Sequence, residues 1–355
     1  MSDSLVITQP DDWHVHLRSG KTLDQVAPFT AKVFGRALVM PNTVPPILTG
    51  EEANRYRYDI YDILGAKSIK PTFEPLMTIK LTMDTTADMI YEAHRYGVKA
   101  VKLYPTGVTT NSQDGVELGK LAQLAGANVF HAIADAGMVL CVHGESPGEE
   151  VLRREEAVIP HIVWLLREFT SLKIVVEHVS TKAMSDFVAN DATGRLAATV
   201  TAHHLYLTLD DLLGGELQPH YFCKPVVKQL EDQAALWRHV QNCGNFFFGS
   251  DSAPHDVSRK HCSSCAAGVF TAPILLPLLA DMFEAHGILD CLEAFVSQRG
   301  ARFYNVPFNR AHTTLVKSDK PIVMADRLVF GVENEQVIMP MPLRPGHKQY
   351  WRVVS

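Results

Sequence analysis

The strongest local chemical signal in the chain is Asp12-Trp13-His14-Val15-His16. On an extended strand alternate side chains share a face, so His14 and His16 point the same way and can converge on one metal ion. Taken alone, such a pair is equally compatible with core packing or a surface role. Three other residues change that balance. His143 follows the run MVLCV, His178 follows KIVVE and Asp251 follows FFFGS, so each polar side chain closes an apolar strand candidate at its C-terminal end. Imidazoles and carboxylates are ligands for zinc-class ions, and core packing does not produce this repeated placement. Lys102, inside AVKLYP, leaves two readings open. In one it is a strand-end lysine whose ammonium reaches solvent. In the other it is carboxylated by carbon dioxide, and the resulting anion bridges two metals.

These residues need a scaffold that collects strand ends. Short β-rich runs at Ala37 to Met40, Met77 to Leu81, Ala100 to Tyr104, Met138 to Val142, Ile174 to Glu177, Ala198 to Val200 and Phe246 to Phe248 join a first strand near His14. They alternate with helical patterns at Ala87 to Tyr96, Val116 to Ala136, Glu149 to Phe169, Thr181 to Asn190 and Gln229 to Gln241. A count near eight, with no glycine-rich phosphate turn after an early strand, predicts an α/β fold of the TIM-like (β/α)8 barrel type rather than a doubly wound sheet. From about residue 306 the text becomes proline-rich and irregular or short-stranded, which reads as a C-terminal extension of a single 1–355 domain.

Composition narrows the class further. With 33 Lys and Arg against 39 Asp and Glu, the net charge of -6 gives no basic stripe for nucleic acid. The six cysteines are sparse in a long chain, and the N-terminus lacks the basic and apolar regions of a secretion signal, so free thiols and a cytoplasmic location are expected, with no membrane partner. Cys262 and Cys265 have zinc-motif spacing but no matching second pair. His203 and His204 read as packing or orienting residues, and His161, His239, His286 and His312 as structural or solvated ones. Glu145 and Glu177 stand close enough in sequence to the histidines to orient them.

In combination and order, DDWHVHLR at 11–18, MPNT at 40–43, KLYPTGVTTNS at 102–112, VHGE at 142–145, EHVST at 177–181, RLAATVTAHHL at 195–205 and GSDSAPH at 249–255 resemble the dihydroorotase family, of the shorter monofunctional type, within the metal-dependent amidohydrolases. The resemblance implies a barrel with two zinc ions. His14, His16 and Asp251 would hold the more buried ion, His143 and His178 the other, and a carboxylated Lys102 would bridge them. It also implies that Arg18, Asn42 and His255 recognise the substrate carboxylate region and that Thr109 and Thr110 belong to a mobile loop closing over the ligand. Lys224 stands where relatives commonly have leucine, with its backbone reading the amide edge, and Ala267, or its neighbour Ala266, offers backbone groups near the carboxylate. The implied reaction is reversible cyclisation of N-carbamoyl-L-aspartate to L-dihydroorotate and water in pyrimidine synthesis, with a metal-bound hydroxide as nucleophile, Asp251 moving the proton, and a homodimer as the assembly. A related enzyme acting on a hydantoin or dihydropyrimidine is the main alternative, and a catalytically silent scaffold barrel is the more distant one.

Overall fold

The computed structural model describes residues 3–69, 72–109, 112–331, 337–340 and 343–354. After an N-terminal strand β1 (Ser4–Thr8), eight strands form one parallel sheet in sequential order: β2 (Asp11–Val15), β3 (Arg36–Val39), β4 (Glu74–Leu81), β5 (Ala100–Leu103), β6 (Val139–His143), β7 (Lys173–Glu177), β8 (Leu196–Val200) and β9 (Phe246–Phe248). The last strand returns to the first through a parallel bridge between Val15 and Ser252, with Asp251 N donating to His14 O at 2.8 Å and His16 N to Ser252 O at 3.1 Å. Helices wrap the sheet, giving the expected (β/α)8 arrangement.

Side-chain alternation divides the barrel into two faces. Outward residues such as Val39, Met77, Val101, Leu140, Val176 and Phe248 pack under the helices in one large core. Inward residues Trp13, Leu38, Leu76, Ala100, Val139, Val175, Ala197 and Phe247 form a second cluster, in which small alanines make room for two large rings. Continuing each strand by two or four positions from these apolar residues reaches Thr78 and Lys80, Lys102, His143, Glu177 and Thr199, all buried. The interior is therefore apolar at its base and polar at its C-terminal mouth.

Strand β2 needs an exception to this alternation. Trp13 faces the interior and Val15 the outer core, although they are two positions apart, because the β2–β3 register shifts between Asp12 and Val15. Such an irregularity re-aims side chains, and here it lets Trp13 fill the base while His14 and His16 reach the mouth. Trp13 stacks on Tyr304 with ring centroids 4.4 Å apart, so the segment after helix Arg299–Phe303 plugs the base. A Cβ at Gly300 would lie 2.0 Å from Trp13 Nε1, which requires glycine there.

Two helical expectations change in detail. The 116–136 stretch is split into a 3-10 turn (Leu118–Lys120) and helices Leu121–Gly126 and Val129–Asp135, broken where Asn128 takes φ 58°. The 149–169 stretch is helical only from Glu156, with Pro160 in the first turn of Ile159–Glu168. The extension is more regular than its text suggested. The strand β10 (His312–Ile322) pairs antiparallel with β1 and with β13 (Gln349–Val354), while β11 (Arg327–Phe330) and β12 (Val337–Pro340) form a separate ribbon. Its partners lie at opposite ends of the chain, so no local pattern announces the three-stranded sheet.

Candidate active site

Backbone geometry at the mouth is unusual where the chemistry gathers. Arg18, His178 and Asp251 have φ of 62°, 42° and 42°, left-handed values that L-residues rarely adopt. Each follows the C-terminal end of a barrel strand, and the sharp turn swings its side chain inward over the barrel axis instead of onward along the strand. Gly249 supports the same crowding, since a Cβ there would sit 2.9 Å from both His14 Cβ and Thr199 Cβ.

One cavity at the mouth is lined by His14, His16, Arg18, Asn42, Tyr104, Thr109, His143, His178, Lys224, Asp251, Ala253, Ala267 and Gly268. Within it His16 Nε2 lies 3.0 Å and His14 Nε2 3.5 Å from Asp251 Oδ1. The four imidazoles form a chain, with ring centroids 5.3 Å apart for His14–His16, 5.0 Å for His14–His178 and 4.7 Å for His143–His178. Lys102 lies just beneath, fully buried, and Thr110 falls outside the described residues.

Partners behind the imidazoles decide which nitrogens face inward. His14 Nδ1 is 2.8 Å from Glu177 Oε2, which also accepts from Thr199 Oγ1 at 2.6 Å, while Thr199 Oγ1 accepts from His178 N at 2.6 Å. His14 Nε2 is left buried with no hydrogen-bond partner, turned toward Asp251. On His143 the pattern is reversed, with Nε2 held by Glu145 Oε2 at 2.8 Å. A carboxylate on the outer nitrogen fixes the tautomer and raises the basicity of the inner one, a common arrangement behind metal-binding histidines.

Electrostatics keep these groups in ligand form. Burial depresses the His16 pKa to about 4 against the pull of Asp251, and burial lowers His143 and His178 as well, so their imidazoles are neutral at pH 7. Burial opposes ionisation of Asp251, but the His16 hydrogen bond and the neighbouring imidazoles outweigh it and hold the carboxyl well below the usual range. The neutral His16 ring, the Asp251 carboxylate and the orphaned, buried Nε2 of His14 fit a divalent cation.

At the other side of the cavity Arg18 Nε donates to Pro254 O at 3.3 Å and its Nη2 lies 3.0 Å from His255 Nε2, which is also 3.0 Å from Ala267 O. His255 thus contacts Arg18 instead of lining the cavity, and burial beside that guanidinium pushes its pKa down to about 3. The choice between the two alanines resolves by position. Ala267 lines the cavity, whereas Ala266 O accepts from Lys260 Nζ at 2.9 Å.

No family model matches the chain. Full-length similarity does exist, to the dihydroorotase of Ruegeria sp. (strain TM1040), 44% identical over 92% of this chain and 94% of that protein, and to the dihydroorotase of Chelativorans sp. (strain BNC1), 43% identical over 95% and 97%. The chain belongs to the dihydroorotase family. The crystal structure of the Saccharomyces cerevisiae dihydroorotase in complex with 5-fluoroorotic acid superposes with a TM-score of 0.88 at 32% identity, covering 99% of this chain and 98% of that one. An L-hydantoinase from Arthrobacter aurescens shares the fold, with a TM-score of 0.76 at 17% identity. This dihydroorotase-family enzyme is accordingly a cyclic amidohydrolase.

The expected cofactor arrangement, two zinc ions bridged by a carboxylated Lys102, is corrected by the structure. Among the described residues, the trios whose ligand atoms all lie within 4.8 Å of one another are His14–His16–Asp251 and His203–His204–Cys223, and no carboxylated lysine bridges them. The second trio comes from helix Ala202–Tyr206 and the 222–225 segment, not from β5 where Lys102 stands. Lys102 does not reach solvent either. Its Nζ is buried without a hydrogen-bond partner, 5.1 Å from the Tyr104 ring centroid, and although burial lowers its pKa, Glu177 attracts its charge. That carboxylate and the ring face accommodate the amine itself.

Sequence reasoning passed over several residues of this dihydroorotase-family site. Tyr104 and Gly268 line the cavity, the first two positions after Lys102 and the second directly after Ala267. Thr199 is the one polar residue in LAATV, a signal that was legible. Lys260 had none. Its buried ammonium donates to Phe222 O, Ala266 O and Gly268 O at 2.9, 2.9 and 2.7 Å and so ties together two segments that border the cavity. Among the histidines read as structural, His239 pairs with Asp186 at 2.6 Å and His286 stacks on Trp237 at 3.8 Å.

Proposed function

We propose that the enzyme interconverts N-carbamoyl-L-aspartate and L-dihydroorotate, with ring closure serving pyrimidine synthesis. The observation carrying this reading is the presence, in one cavity, of the Arg18 guanidinium and the His14–His16–Asp251 donor set. Arg18 presents a planar donor fork suited to a carboxylate, and Asn42 and the backbone at Ala267 and Lys224 supply neutral hydrogen-bonding groups around it. A neutral hydantoin ring has no carboxylate for Arg18 to bind, which disfavours that alternative.

His14, His16 and Asp251 would hold a divalent ion, zinc by the chemistry of the donors, with His143 and His178 alongside. When bound, the ion polarises the amide carbonyl and makes water a competent nucleophile near neutral pH. The chain's own residues do the rest. Asp251, anionic at pH 7, takes the proton of the attacking water on a carboxylate oxygen and delivers it to the departing ring nitrogen. In the closing direction it removes the proton from the carbamoyl nitrogen and returns it to the oxygen that leaves as water. Arg18 holds the carboxylate shared by both substrates throughout, and the Thr109 hydroxyl covers the ligand from the loop after β5, with Thr110 beside it in sequence.

The six free cysteines support a cytoplasmic enzyme, and the net charge of -6 offers no basic surface for nucleic acid. Among the described residues no helix is long and apolar enough to cross a membrane. The family resemblance supports a homodimer, and residues 1–355 read as one catalytic unit. Purified protein of measured zinc content should turn over dihydroorotate and N-carbamoyl-L-aspartate but not hydantoin or dihydrouracil. Arg18→Met should raise KM for both substrates by roughly tenfold or more, since a charge-assisted contact is lost. A zinc-loaded, folded preparation inactive in both directions would sink the assignment.

A further inference from the structure

Lys260 ends the short helix Val257–Lys260, and its buried side chain spends one proton on each of three backbone carbonyls: Phe222 O at 2.9 Å, Ala266 O at 2.9 Å and Gly268 O at 2.7 Å. An ammonium has three donors, so its hydrogen-bonding capacity is filled. Taking that charge out of water is costly, and the three charge-assisted bonds offset the cost. Burial pushes the pKa down to about 8, which still leaves the group cationic at pH 7. Lys260 does not line the active-site cavity, and the proposed reaction gives it no task.

The carbonyls it gathers belong to two stretches of backbone on the Arg18 side of the cavity. Phe222 stands two positions before Lys224, and Ala266 and Gly268 flank Ala267, while Lys224, Ala267 and Gly268 themselves line the cavity. Phe222 O also accepts from Gly268 N at 3.0 Å, so the ammonium and the facing segment share one acceptor. Residues 255–260 grip 266–268 at further points. Ala266 N donates to Arg259 O at 2.9 Å, and His255 Nε2, itself 3.0 Å from Arg18 Nη2, lies 3.0 Å from Ala267 O. Three consecutive carbonyls are thus met from one short segment. The need for a hold is plain at Gly268, whose φ of 145° is rare for L side chains and where a Cβ would lie 2.7 Å from Ala253 O. Glycine permits that conformation but does not fix it.

We propose that Lys260 is a positioning residue for substrate binding: by pinning the 222–224 and 266–268 backbones to each other, its ammonium keeps the Arg18 side of the cavity in its ligand-binding shape without touching the ligand. With all three protons spent on carbonyls, it donates nothing to the imidazoles or to Asp251. Loosening these backbones weakens the hold on substrate and transition state alike, so the loss falls on KM and not on kcat. The proposal rests on the function proposed above, in that the two backbones must contact the substrate.

The test uses the full chain and three readouts: zinc content, steady-state kinetics with dihydroorotate and N-carbamoyl-L-aspartate, and hydrogen exchange without ligand. Lys260→Met keeps a stem of similar length and removes every donor. It should raise KM for both substrates by about tenfold, hold kcat within about threefold and leave zinc content at the parent value. The Gly268 amide should exchange at least about tenfold faster while the barrel strands keep parent rates. Lys260→Gln retains two donors on a shorter stem and should raise KM less than Lys260→Met does. An unchanged KM in folded Lys260→Met, a fall in kcat or zinc that accounts for the lost activity, or faster exchange spread evenly over the barrel would each overturn the positioning role. Failure of both variants to fold would overturn it too, by making Lys260 a residue of the fold alone. A parent inactive on dihydroorotate would count against the proposed reaction and not against Lys260, because the exchange readout needs no substrate.

Discussion

Two buried trios of histidine and a third donor stand near the mouth of the barrel, and they differ in what their ligand atoms already do. In the His14–His16–Asp251 trio, Glu177 takes the outer nitrogen of His14 and leaves Nε2 unpartnered toward Asp251. In the His203–His204–Cys223 trio, His204 is held at both ends, Nδ1 at 2.8 Å from Thr201 Oγ1 and Nε2 at 3.0 Å from Pro225 O, and Cys223 Sγ donates to the same carbonyl at 3.1 Å. The two nitrogens of His203 have no partner. Both trios are buried and each supplies two imidazoles, with a carboxylate as third donor in the first and a thiol in the second, so the hydrogen bonds behind the shared imidazoles separate a side chain offered to an ion from one spent on the fold. The contrast supports the proposal that the first trio holds the ion, while most of the second holds the 222–225 segment against helix Ala202–Tyr206.

Removing a ligand from the first trio should have the largest effect. His14→Ala should lose most of the bound zinc and reduce turnover by roughly a thousandfold or more, with far-ultraviolet circular dichroism unchanged. Parent-level zinc in that variant would erase the distinction between the trios. A smaller loss should follow Glu177→Gln, which keeps the shape but not the charge behind His14. Metal affinity should weaken by about 10- to 100-fold, read by chelator competition.

The smallest effect should come from the second trio. His204→Asn should leave zinc content at the parent value and cost about 1–3 kcal/mol of stability at pH 7 by breaking two buried hydrogen bonds. Its pH dependence sharpens the point. Burial pushes the His204 pKa down to about 4, so the neutral ring contributes stability fully present above its ordinary value near 6.5 and lost as pH falls toward 4. The gap between parent and variant in urea unfolding should therefore narrow between pH 6.5 and 4. Asp12, pushed up to about 7 mainly by burial, acts with the opposite sign, but it is common to both proteins and cancels in the difference. A drop in zinc content in His204→Asn would make the second trio a ligand set after all.

The rhythm of strands and helices, the eight-strand count and the gathering of His14, His16, His143, His178 and Asp251 were legible because each rests on a local rule: alternation within a strand, and polar residues closing apolar runs. Tertiary structure decided everything that depends on which nitrogen or which charge is satisfied. The register shift in β2 that turns Trp13 down and the histidines up depends on β3, and the Glu177–Thr199 support behind His14 joins three strands. Whether Lys102 lies against an anion or in solvent was undecidable from AVKLYP, because Glu177 on β7 reaches it only when the barrel closes. Lys80 is the sharpest case, a lysine in an apolar strand text whose counter-ion Asp114 lies 34 residues away on a loop. Backbone periodicity is encoded within a few residues, whereas the pairing of buried polar groups is set by long-range contacts, and the chemistry of this site rests on the second.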